Sequence, residues 1–277
     1  MPRRAPTLLV LGHVTRDRFG AECRVGGAAA FAARAAVALG IDTALVTVAP
    51  VGAPELAELR AVPGLQLHVA DSDALTTFRH EYVAARRQLW LLERARPLAW
   101  SDVPDGWREP EVLYAGPVAG ECDEALLERF PHAFGVACIQ GWLRELVDGR
   151  LVRPRRLAGE CRVPRMLRAV SFSASDHPAA RAIARSLTAG GAAVAITHGR
   201  RGARVSSREG EWRVPAEPAT EVDPTGAGDV FALIFGLSLR AGLAPVEAAR
   251  RAALAAARVV EGPGLGNLAQ ARGELGG

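Results

Sequence analysis

Residues 221–231 read Glu221-Val222-Asp223-Pro224-Thr225-Gly226-Ala227-Gly228-Asp229-Val230-Phe231, and the apolar run continues through Ala232-Leu233-Ile234-Phe235. A turn of small residues leads straight into a helix-forming segment, with an acid at the junction. A helix start leaves backbone N–H groups unpaired and carries partial positive charge, so it can hold an anion. Glycine lets that backbone approach the anion closely, and Pro224 fixes one dihedral just before the turn. A carboxylate at the same turn lies beside the anion and can take a proton from an attacking hydroxyl. The helix start also favours the charged carboxylate, which predicts an ionised, weak base. A bare G-x-G-D is more often an ordinary turn with a dipole partner. The full D-P-T-G-A-G-D-V-F is what argues for phosphoryl transfer.

A second informative segment lies near the other end. The strand-like run Thr7–Leu11 is followed by Gly12-His13-Val14-Thr15-Arg16-Asp17, then by Gly26-Gly27-Ala28-Ala29-Ala30-Phe31 and an Ala-rich stretch ending at Gly40. Together the two segments resemble the ribokinase-like (PfkB-type) carbohydrate kinases. Fainter agreement at Thr76-Thr77-Phe78 and at Thr197–Ala203 extends the resemblance over most of the chain. Gly141-Trp142-Leu143-Arg144 and Gly264-Leu265-Gly266-Asn267 are similar to the inositol-kinase-like branch.

The resemblance implies an ATP-dependent kinase for a hydroxyl of a sugar or cyclitol. Asp229 would be the catalytic base. The backbone of Gly226, Ala227 and Gly228 would form an anion hole. Asp17, Gly26 and Gly27 would hold the acceptor, while Thr197, Gly199, Gly202, Thr225 and Asn267 would border the nucleotide. Mg2+ would accompany ATP, with Asp176 as the candidate carboxylate, and the family leaves room for a monovalent cation and a homodimer. Two departures stand out. Phe31 occupies a place where many sugar kinases carry asparagine, and the family N-x-x-E appears only as Ser173-Ala174-Ser175-Asp176. A nucleoside kinase of the same fold, or a binding protein of that fold without catalysis, remains the alternative.

Composition narrows the classes. With 277 residues, 49% hydrophobic content and mean hydropathy of +0.09, the chain is expected to bury a substantial core. All 34 basic residues are arginine, so a Walker A lysine is impossible and any charged phosphate clamp must be arginine. No G-x-G-x-x-G follows a strand-like run, so a Rossmann dinucleotide site lacks support. Cys23, Cys122, Cys138 and Cys161 have no C-x-x-C spacing and read as buried free thiols. Formal charge of +4 and a pI near 9.3 invite a nucleic-acid reading. Yet the arginine-rich stretch 150–168 lacks interleaved aromatics and reads as a solvated loop face. No apolar run has membrane-spanning length, and Thr7–Leu11 is too short for a signal-peptide core, so the expectation is a cytoplasmic protein with no membrane or nucleic-acid partner.

Apolar strand-like runs alternate with helical ones, which predicts an α/β fold: a doubly wound, largely parallel sheet with helices on both faces. Strands are expected at Leu8–Leu11, Ala44–Val48, Leu67–Ala70, Val112–Ala115, Gly135–Ile139 and Ala193–Thr197. Helices are expected at Ala28–Leu39, Cys122–Phe130, Pro178–Ala189, Asp229–Ala241 and Pro245–Val260. The expected organisation is one kinase domain over residues 1–277. Residues 13–25, a short polar excursion, and 72–96, a hairpin, would form a small β lid, reduced because the first segment is short. His13 and His198 lie beside the motifs but are expected to be structural rather than catalytic.

Overall fold

The computed structural model describes residues 5–83, 86–156, 164–269 and 273. In chain order the elements are β1 (Leu8–Leu11), β2 (Thr15–Phe19), β3 (Glu22–Gly26), α1 (Ala28–Ala38), β4 (Thr43–Ala49), α2 (Glu55–Arg60), β5 (Leu65–Asp71), β6 (Thr77–Val83) and β7 (Arg86–Glu93). Then come β8 (Val112–Ala115), α3 (Glu124–Leu127), β9 (Phe134–Cys138), and the two-residue strands β10 (Arg144–Glu145), β11 (Arg150–Leu151) and β12 (Arg153–Pro154). The rest are β13 (Leu167–Ser173), α4 (Ala180–Ala189), β14 (Ala193–Thr197), β15 (Ala203–Ser207), β16 (Gly210–Val214), α5 (Ala227–Arg240) and α6 (Pro245–Val260).

Strand β1 explains the layering. All four of its residues are buried, which suits a central strand of a parallel sheet. Because side chains alternate across the sheet, Leu8 and Val10 enter one core with α1, α5 and α6. Leu9 and Leu11 enter the other core, with α4 and the short helix α3. The main sheet runs β16-β15-β14-β13-β9-β8-β1-β4-β5. All neighbours from β14 through β5 pair in parallel, and β15 and β16 add an antiparallel edge. This is the ribokinase-like α/β architecture. Its chain winds outward through β4 and β5, then returns to the other side of β1 at β8, so a crevice opens at the carboxyl ends of the central strands. No helix among the described residues is long and apolar enough to cross a membrane.

A second sheet, β11-β7-β6-β2-β3, covers that crevice. The 13–25 segment is therefore a two-stranded hairpin, with Asp17 opposite Arg24, rather than a polar excursion. Strand β11, which the sequence did not signal, pairs with β7 and makes the lid five-stranded.

The expected helix Cys122–Phe130 shrinks to α3. Asp123 caps its start by accepting the Leu126 N–H at 2.7 Å, and residues 126–130 close in i→i+3 turns before Pro131. Helix α5 starts at Ala227, two residues earlier than expected. Strands β13, β15 and β16 escaped the reading. A register shift in β13 puts Leu167 on the same face as Val170 and Phe172. Strands β15 and β16 alternate apolar with polar residues, and β16 is the edge.

The basic stretch was also misread in part. Leu151, Val152, Arg153 and Pro154 line the central cavity instead of lying on a solvated loop face. Arg162 and Cys161 fall outside the described residues. Cys122 and Cys138 are buried free thiols, but Cys23 is exposed on lid strand β3.

Candidate active site

Between the lid and the ends of the parallel strands lies a cavity of about 1250 Å³. Its lining brings together Asp17 and Gly27 from the N-terminal segment, Asp176, Thr197, Gly199 and Gly202 from the middle, and Thr225, Gly226, Ala227, Gly228 and Asp229. Of the expected site residues, Gly26 and Asn267 are absent from the lining. Gly26 lies directly behind Asp17, where a Cβ would collide with the carboxylate. Asn267 is held in the C-terminal turns by its backbone N–H, which donates to Arg258 O at 2.9 Å.

Helix α5 begins on a left-handed residue, Gly226, with φ of 81°. A Cβ there would also strike the ring of Phe31. Glycine is needed for both reasons, backbone conformation and close approach. Asp223 Oδ1 accepts the Thr225 N–H at 2.9 Å and shapes the turn before it. The Ala227 N–H is engaged with Pro224 O at 3.3 Å, and that of Asp229 with Gly226 O at 3.1 Å. Among the described residues no acceptor takes the N–H of Gly226 or Gly228, so these two amides, rather than all three, are the open donors at the helix start.

Asp229 is 9% exposed. Burial pushes its carboxyl up to about 7, against the opposing effects of a hydrogen bond from Cys138 and the positive charge of Arg144. This corrects the expectation of an ordinary ionised carboxylate: desolvation outweighs the helix start. Gln140 Nε2 donates to Asp229 Oδ1 at 3.4 Å, and Arg144 Nη2 donates to Gln140 Oε1 at 2.8 Å. Asp176 Oδ1 stands 4.0 Å from Arg144, while its Oδ2 accepts the Ser173 N–H at 2.8 Å.

On the lid side, Asp17 Oδ1 accepts from Thr15 Oγ1 at 2.8 Å, and its Oδ2 stands 3.3 Å from His80 Nε2. The His80 ring stacks on Phe19 with centroids 4.4 Å apart, and neither ring nitrogen completes a hydrogen bond. Gly27, with φ of 99°, opens α1, and its Cβ would collide with His13 O.

His13 is structural, as expected: Nδ1 meets Thr76 Oγ1 at 2.7 Å and Nε2 meets Arg96 O at 2.9 Å. His198 lies off the cavity lining.

Sequence reasoning missed His80, Gln140, Cys138 and the role of Arg144. A signal existed for His80: two-residue alternation along β6 turns Phe78 and His80 to the cavity together. Gln140 and Arg144 flank the Gly141-Trp142-Leu143 segment already noted, but only the fold sets them beside Asp229.

Residues 166–272 match the pfkB family carbohydrate kinases. The inositol 3-kinase of Oryza sativa subsp. japonica is 30% identical over 239 residues, 81% of this chain and 59% of that protein. The inositol 3-kinase of Zea mays is 30% identical over 244 residues, 81% of this chain and 63% of that protein. The chain thus spans about three fifths of the length of these relatives. Among solved structures, a pyrophosphate-dependent kinase in the ribokinase family, complexed with a pyrophosphate analog and myo-inositol, superposes with a TM-score of 0.79 at 21% identity, covering 96% of this chain and 99% of that one.

Proposed function

We propose that the chain, which is similar to the pfkB family carbohydrate kinases over residues 166–272, is a kinase that phosphorylates a hydroxyl of a cyclitol, with simple sugars as the wider acceptor class. The observation that carries the reading is the single cavity walled by Asp17, the open α5 start and the buried Asp229. Asp17 and its lid neighbours bind the acceptor hydroxyls. Asp229, buried and poised near neutrality, accepts the proton of the attacking hydroxyl. The amides of Gly226 and Gly228 face the charge that grows on the moving phosphoryl group. Thr197, Gly199, Gly202 and Thr225 border the donor.

Among the described residues no cluster of three metal-binding side chains exists. Mg2+ is usually held by one or two carboxylates together with the substrate's phosphates. Asp176 is the carboxylate on the cavity wall that would share it, and the ion would supply charge neutralisation on the donor. ATP is the donor in this reading. Pyrophosphate is the second reading, favoured by the overlay with a pyrophosphate-dependent relative. A cytoplasmic location belongs to the same proposal, because a phosphoanhydride donor must be at hand.

The test is a product screen. ATP and pyrophosphate, each with Mg2+, are crossed against myo-inositol, pentoses, hexoses and nucleosides, with phosphomonoester formation followed by phosphorus NMR. Turnover of myo-inositol or another cyclitol above the nucleosides is expected. Turnover of nucleosides alone replaces the acceptor assignment, and no phosphomonoester with any pair defeats the kinase reading.

A further inference from the structure

We propose that Arg144 is the full positive charge that meets the phosphoryl group in transfer, and that Gln140 couples it to the base. This rests on the kinase reading above and assigns a residue that the family match over 166–272 does not reach.

The chain has no lysine, so a side-chain cation at the transferring group has to be arginine or histidine. Four arginines among the described residues line the cavity: Arg24, Arg144, Arg153 and Arg200. Arg24 is half exposed and paired with Glu22, and Arg200 is 80% exposed and paired with Glu221. Arg153 is exposed as well. Charges in contact with water are screened and contribute little. The Arg144 side chain is only 10% exposed. A guanidinium removed from water acts at higher strength and presents a planar fork suited to phosphate oxygens.

Its placement is fixed in advance. The turn over residues 139–143 follows β9, and the Gly141 N–H donates to Pro117 O at 3.0 Å. Trp142 Nε1 donates to Cys122 O at 2.8 Å, and Arg144 itself pairs in β10 with β12. The chain of contacts then runs from Arg144 through Gln140 to the Asp229 carboxylate, with Asp176 on the other side of the guanidinium at 4.0 Å. A buried cation on the cavity wall, held in advance beside both carboxylates, is suited to stabilising charge that develops there.

The acceptor oxygen forms a bond to the terminal phosphorus as the bridging phosphoanhydride P–O bond breaks. The electron pair of that bond stays on the bridging oxygen and leaves with ADP, or with phosphate when pyrophosphate is the donor. The hydroxyl proton passes to Asp229. Negative charge spread over the three equatorial oxygens during this passage is what Arg144 neutralises.

The test compares Arg144→Gln and Arg144→Lys with the wild-type chain, using the best donor and acceptor from the screen. Arg144→Gln should lower kcat by ~10²–10³ and change acceptor KM by less than about threefold. Arg144→Lys, which keeps charge without the fork, should retain kcat about tenfold or more above Arg144→Gln. Added guanidinium should partly restore Arg144→Ala and leave the wild type unaffected, which a merely structural arginine would not show. Equal kcat in the Lys and Gln variants, or a Gln variant within about threefold of wild type, overturns the assignment. A wild-type chain without turnover defeats the kinase reading separately. The assignment is then decided by calorimetric titration with Mg2+ and pyrophosphate: binding weakened ~10-fold or more in Arg144→Gln supports it, and unchanged binding overturns it.

Discussion

The two halves of the cavity are built from different material. On the side matched by the family, residues 166–272, what reaches the cavity is chiefly backbone and small residues: the Gly226–Gly228 turn, the start of α5, Ser171, Ser173 and Ser175. On the other side, before residue 166, it is side chains: Asp17, Phe19, His80, Gln88, Gln140 and Arg144. Backbone geometry is specified by a short string of glycine and proline and shows up as a motif. A wall of side chains can be rebuilt one residue at a time on an unchanged sheet. The difference teaches that the part of the cavity matched by the family is specified largely by local conformation, and the rest by side chains on the lid and in the turn after β9.

Asp229→Asn is the strongest way to break that comparison. It leaves the helix start intact and removes the proton acceptor, so kcat should fall by ~10²–10⁴ with donor affinity retained. The same change should raise thermal stability at pH 8. A carboxyl whose folded pKa of about 7 lies above its unfolded value binds protons more tightly in the native state. Stability therefore declines as pH rises through that window, and above it the whole penalty is present, on the order of a few kcal/mol, which asparagine does not incur. An active, unstabilised variant would show that the motif only binds the donor.

The pH profile of the wild type sharpens the same point. With Asp229 deprotonated only above about 7, kcat should lose close to tenfold per pH unit below that value and level off above it, so pH 5 costs ~10². An acid limb near pH 4 would mean that bound substrates return the carboxylate to a polar environment, and burial would cease to distinguish the family side.

Asp17→Ala probes the side-chain wall. Acceptor KM should rise by ~10–10² with donor KM unchanged, because a site built on paired polar groups loses much when one is removed. A rise in donor KM instead would merge the two halves.

The smallest effect is expected at Arg155 and Arg156, which are exposed and off the cavity lining. Replacing both with Gln should leave kcat within about twofold, whereas a large loss would extend the charged wall beyond Arg144.

The sequence made the sheet legible wherever strands are continuously apolar, as in β1, β4, β8 and β14, because burial on both faces leaves a run of Val, Ile, Leu and Ala. It failed at β15 and β16, the antiparallel strands at the end of the sheet that carry Arg, Ser and Glu, and at β11, whose partner β7 lies far away in sequence. In the site, Asp229 was legible through the glycine turn before it and Asp17 through the family resemblance; both line the cavity. The state of Asp229 was not, because its burial, and the opposing hydrogen bond from Cys138 and charge of Arg144, come together only in the fold. His80 had only the two-residue alternation of β6 to mark it, and Gln140 became visible only beside the carboxylate it faces.

Phe31 and Gly226 carry a consequence for heredity. The ring of Phe31 fills the volume that any side chain at 226 would need, although the two residues come from opposite ends of the chain. A lineage that enlarges position 226 must first vacate position 31, and one that shrinks position 31 opens a void against the Gly226 turn. Neither residue can drift alone. Recombination between this chain and a relative carrying asparagine at position 31, with the crossover falling between α1 and α5, joins a turn from one parent to a neighbour from the other. Such a hybrid inherits both motifs intact and still mismatches where they touch.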